Sequence, residues 1–191
     1  METENKMIFL VDQMFVGDHN KLGRSEAPLN YSEIMESIDS SIKEIEKILP
    51  TLSIEERKIV LFESAKQFDL MRARFREEKK ENLTEHKKGF ITFLNERIVT
   101  IIALIIRTEK DWQLVKRADQ MITPIYYFEK EKTPDVINSK VPWTPMVTID
   151  QQYAVEIFSK RFESVTNRRP DLKNEIDDYK KFLEQNAPKI E

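Results

Sequence analysis

Residues 98–106 read Ile-Val-Thr-Ile-Ile-Ala-Leu-Ile-Ile, the longest apolar run in the chain. Its β-branched content suits a central strand. The pattern, however, starts earlier. Phe90, Leu94, Ile98, Ile101, Ile102 and Ile105 recur at spacings that share one helical face, and no Gly or Pro interrupts residues 90–106. A segment that long and periodic is a helix, because strands are short. From Ile98 onward the opposite face, Val99, Ala103, Leu104 and Ile106, is apolar too. A helix apolar all round is a buried helix. The run itself falls well short of the ~20 residues that cross a bilayer.

Working outward, the same period recurs. Tyr31, Ile34, Ile38, Ile42, Ile45 and Leu49 form a stripe that Asn30 can cap, with Glu33 placed to close a capping box and Pro50 to end the helix. Ser53 and Glu56 are a second capping box, opening a helix predicted from Ile54 to about Lys80, with a highly charged second half. Thr84 is a candidate cap for the helix that contains residues 98–106. Trp112, Val115, Ala118 or Asp119, and Ile122 carry a further helix to Pro124, before the short aromatic segment Ile125–Phe128. Met7–Val16 is apolar but short, so helix and strand both fit, and residues 17–28 read as a loop holding Gly17 and Gly23.

Pro134, Pro142 and Pro145 mark residues 129–149 as a connector. Beyond it, Asp150 is a candidate cap. Ala154, Ile157, Phe158, Phe162 and Val165 form one stripe, and Leu172, Ile176, Tyr179 and Leu183 another. The break at Asn167–Pro170 makes these two stripes an αα-hairpin with a heptad-like seam. The expected architecture is therefore mainly α, a multi-helix bundle with a C-terminal helical hairpin. Strand, if any, is confined to Met7–Val16 and Ile125–Phe128. Residues 1–128 form the body, 129–149 the connector, and 150–191 the hairpin and tail, which could also join the body as one domain.

Composition excludes several chemistries. The 191 residues contain no Cys, which removes disulfides, thiolate nucleophiles and Cys-type zinc sites. Gly17, Gly23 and Gly89 are the only glycines, so no phosphate-cradling Gly-rich loop can be built. No Ser lies in a nucleophile elbow. His19 and His86 are too distant in sequence for a paired-His metal motif on one helix, and both read as surface residues without a visible partner. Asp177 and Asp178 are adjacent and diverge on a helix, which suits a single ion poorly. Pro134-Asp135 with Asp171-Leu172-Lys173 formally matches a metal-nuclease pattern, but its second element falls in a helix and reads as chance. No cofactor and no metal are expected. The N-terminus lacks a basic, apolar leader, so cytoplasmic residence without membrane contact is the expectation.

What remains is surface. Net charge is −3, which gives no global pull toward nucleic acid. Two local basic clusters stand out: Arg72, Arg74, Arg76, Lys79, Lys80, Lys87 and Lys88, and Lys160, Arg161, Arg168 and Arg169. Within them Arg72, Arg76, Lys79, Lys80, Arg168 and Arg169 are candidate phosphate contacts, although the intermixed glutamates weaken the field. Trp143, in the stiff Val141–Met146 segment, is a candidate anchor for a partner. Phe158, Phe162, Tyr179 and Leu183 would join it if the hairpin left a seam unfilled. The leading expectation is a non-enzymatic interaction or assembly component that binds another protein or a second copy of itself. Nucleic-acid binding is the alternative, and a carboxylate-dependent enzyme using His86 ranks last.

Overall fold

The computed structural model describes residues 1–23, 29–75, 84–128 and 162–186, with side chains to 122 and 185 in the last two stretches. All of its regular structure is helical, with no strand among the described residues. The helices are α1 (Glu2–Leu22), α2 (Tyr31–Ile48), α3 (Ile54–Ala73), α4 (Glu85–Thr108), α5 (Trp112–Phe128) and α6 (Lys173–Asn186). Residues 162–168 are also helical, and short 3₁₀ turns occupy Leu49–Thr51 and Pro170–Leu172. The chain divides into two compact units, Met1–Arg97 and Ile98–Glu191, with the boundary inside α4. The Pro-rich connector lies outside the described residues.

The ambiguous N-terminal segment is a helix, and it is longer than the sequence suggested. Met7, Val11, Phe15 and Leu22 are buried at helical spacing, together with Asp18. Glu2 and Glu4 lie in the first turn and His19 and Lys21 in the last, the arrangement that opposes the helix dipole. Gly17 therefore sits inside a helix and not in a loop. It has no positive φ, and a Cβ built there or at Gly89 in α4 meets nothing within 4 Å. Glycine inside a helix costs roughly 0.5–1 kcal/mol relative to alanine. Gly17→Ala and Gly89→Ala should each raise unfolding free energy by about that amount in a urea melt; a loss of stability would contradict the helical assignment.

In the first unit the helices run up-down-up-down. Lys21 meets Glu33 at 3.1 Å and the Ser41 hydroxyl donates to the Met14 carbonyl at 3.4 Å, so α2 is antiparallel to α1. Phe15 packs edge-on against Phe68 (centroids 5.3 Å apart), while Arg74 donates to the His19 carbonyl, so α3 runs parallel to α1. The start of α4 returns beside α3 and α2 through Phe90, which contacts both Phe75 and Tyr31. Farther along, Arg97 forks onto Asp39 at 2.6 and 2.7 Å and lies 3.8 Å over the Phe93 ring. Helix α3 is touched by α1 on one side and α4 on another, so its buried residues, among them Val60, Leu61, Ser64, Phe68 and Met71, span a wide arc.

Local signals decided the helix starts. Ser53 and Glu56 form the complete capping box. At α2 only half of the expected box exists. Asn30 accepts from the Glu33 amide at 3.3 Å, but the Glu33 carboxylate turns to Lys21 instead. Asp111 caps α5 by accepting from the Leu114 amide at 3.0 Å.

In the second unit every residue from Ile98 to Ile106 is buried, as an all-round apolar helix requires. Helix α5 continues through Pro124 to Phe128, so the aromatic segment is helix, not strand. Proline keeps a helical φ; its missing N–H removes one hydrogen bond, which the helix tolerates here. Within the described residues 162–186 the hairpin forms as expected, while residues 150–161 lie outside them. Phe162 packs edge-on against Tyr179 with centroids 5.4 Å apart, and Val165, Leu172, Ile176 and Leu183 are buried with them. It docks within its own chain: Arg168 donates to Thr100 at 3.1 Å, and Trp112 stacks on Phe182 at 5.0 Å.

Candidate functional site

The hairpin residues singled out as partner contacts have another role. Phe162, Tyr179 and Leu183 are buried in the second unit's core. The seam they form is filled by their own chain, so they are not displayed. Trp143 and Phe158 lie outside the described residues. At the centre of this seam the Tyr179 hydroxyl donates to the carboxylate of Asp119 on α5, and both side chains are fully enclosed. Burial raises the Asp119 carboxyl to about 7, partly opposed by the Tyr179 hydrogen bond. Around the rim lie exposed ion pairs. Arg107 reaches Glu175 at 3.0 Å and Asp171 at 3.3 Å, and Lys110 reaches Asp178 at 2.8 Å. Arg169 and Arg107 hold Asp171 down at about 2.

Of the candidate phosphate contacts, Arg72, Arg168 and Arg169 are described, and each is engaged within the chain. Arg72 is 3% exposed and donates to Asp69 and to Asn95. It is a buried structural guanidinium, unavailable to a phosphate. Arg168 and Arg169 bond to Thr100 and Asp171 respectively. Arg76, Lys79 and Lys80 lie outside the described residues. Of the formal nuclease pattern, Pro134 and Asp135 lie outside the described residues, while Lys173 pairs with Asp177 at 2.7 Å and Asp171 with arginines. Asp177 and Asp178 take different lysine partners. Among the described residues, no group of three His, Asp or Glu could hold a metal ion.

His86 is exposed on the first turn of α4. His19 differs from its expected surface role. Its Nε2 donates to Gln67 Oε1 at 2.7 Å, and Gln67 Nε2 donates to Asp12 Oδ1 at 2.7 Å. Because Asp12 accepts only, the Gln67 amide must turn its carbonyl toward His19, which fixes the proton on Nε2. A carboxylate thus sets the histidine tautomer through an intervening amide. The sequence signal was present but hidden: Asp12 and His19 are seven apart and share a face only if Gly17 is helical.

The exposed apolar residues are few and unevenly placed. Among the described residues the large ones are Met1, Phe9, Val16, Ile54 and Leu70, so three of five lie on α1 or its cap. Phe9 is 63% exposed and Val16 45% exposed. Seven residues apart, they share the face of α1 opposite its buried stripe, roughly 10 Å apart along the axis.

One helix among the described residues, α4, is long and apolar enough to cross a membrane by length and composition, with mean hydropathy 1.8 over its best window. Inside this protein 83% of that window is buried, as befits a core helix. Comparison with family models, with curated proteins and with solved structures finds no match to this chain.

Proposed function

We propose that this protein is a non-enzymatic interaction component that associates with a second copy of itself through the outer face of α1. The observation that carries the reading is the exposed pair Phe9 and Val16 on a helix whose other face is fully committed to the core. Apolar side chains on one helix face gain by being covered, and a second such helix is the simplest cover. Residence in the cytoplasm belongs to the same proposal. The nucleic-acid alternative is weaker, because Arg72 is buried and Arg168 and Arg169 are engaged.

Sedimentation velocity tests this directly. The wild-type chain should show a mass that grows with concentration toward a dimer. Phe9→Asp combined with Val16→Asp should be monomeric at every concentration while keeping the same helical circular dichroism. A strictly monomeric wild type would exclude self-association.

A further inference from the structure

Asp18 projects from the last full turn of α1 and is 2% exposed. Its Oδ1 has no hydrogen-bond partner, and its hydrogen-bonding neighbour is the Ser37 hydroxyl of α2. An ionised carboxylate offers about four acceptor positions, so in this setting most go unmet. A neutral carboxyl asks for far less.

The surrounding charges do not remove the cost. On α1, Lys21 and His19 favour the charged form, but Lys21 is shared with Glu33 of α2 at 3.1 Å. From α3, Gln67 is neutral, and Arg74 is directed at the His19 carbonyl. Burial outweighs these attractions and holds the carboxyl above its ordinary range.

We propose that Asp18 is an acid-set latch, closing the last turn of α1 onto α2 when neutral and loosening it when ionised. The turn is suited to open by itself. It is terminal, Gly23 follows directly, and helix ends are where local opening is least costly. Opening would hydrate Asp18 while giving up the burial of Leu22 and the Lys21–Glu33 and His19–Gln67 contacts.

The sign follows from linkage. The closed turn binds the proton more tightly than the open turn does. Closure is therefore strongest below the ordinary carboxylate range and weakens as pH rises up to the elevated folded value, then levels off. Each unit of elevation corresponds to a tenfold change in the closing equilibrium.

Amide hydrogen exchange on the full chain, corrected for intrinsic rate, reads this at residues 18–22. Protection in the wild type should fall as pH rises above about 4, the ordinary carboxylate value, while residues 7–15 serve as the internal reference. Asp18→Asn should make protection at 18–22 independent of pH, and Ser37→Ala should deepen the wild-type loss. Should Asp18→Asn not fold, carboxyl-carbon NMR of the wild type replaces it, with the Asp18 titration midpoint expected to coincide with the exchange transition. Protection at 18–22 that is flat with pH, rises with pH, or responds equally in wild type and Asp18→Asn overturns the latch. So does a carboxyl midpoint at or below the ordinary value.

Discussion

Replacing Asp119 with Asn should make the protein more stable than the wild type at pH 8 and remove that advantage at pH 4. Asp119 is enclosed, with its carboxyl raised by burial to about 7. The unfolded chain would ionise it near the ordinary value of 3.8. Between these limits the folded state binds more protons than the unfolded state, so stability falls as pH rises. The contribution is complete below about 4 and exhausted above about 7, a difference on the order of 4 kcal/mol. An asparagine still accepts from Tyr179 but carries no charge. The gap between variant and wild type in urea unfolding should therefore widen through this window. A gap that stays constant with pH would show that Asp119 ionises inside the seam as readily as in the unfolded chain. Asp171 has the opposite sign: held down by Arg169 and Arg107, its pairing is lost only as pH falls toward about 2.

Phe15→Ala should cost about 3–5 kcal/mol, the usual range for emptying a fully buried aromatic site. Phe15 is enclosed and packs edge-on against Phe68, joining α1 to α3. Phe9→Ala, six residues earlier on the same helix, should change stability by less than about 0.5 kcal/mol, as expected of an exposed position. The contrast tests the helical period of α1, which the sequence left open. Comparable losses at both sites would mean that α1 is not seated as described.

The core helices were legible because their patterns are redundant. Ile34, Ile38, Ile42 and Ile45 are buried at the spacing that predicted them. Ile98–Ile106 was readable as helix because the period begins at Phe90 and runs on without a break, longer than a strand. Legibility failed where one residue outweighed a pattern. Gly17 and Pro124 both read as breaks, yet each costs a helix only a bounded amount that packing can offset. Misreading Gly17 as loop ended α1 early and separated His19 from Asp12, so the Gln67-mediated pair was invisible. The hairpin seam was found, but its role was not. Periodicity shows that Phe162, Tyr179 and Leu183 share a face; it cannot show that Asp119, Trp112 and Thr100 of the same chain meet the hairpin. Arg72 illustrates the same limit, since a buried guanidinium and a phosphate contact look alike in sequence.

The most direct test mixes isotope-labelled and unlabelled chains and records isotope-filtered NOEs, which report only contacts between copies. The account expects intermolecular signals at Phe9 and Val16, with Trp112–Phe182 and Phe162–Tyr179 contacts appearing only within one chain. Intermolecular signals at Tyr179 or Leu183, with none at Phe9, would place the hairpin on a neighbouring copy and contradict it.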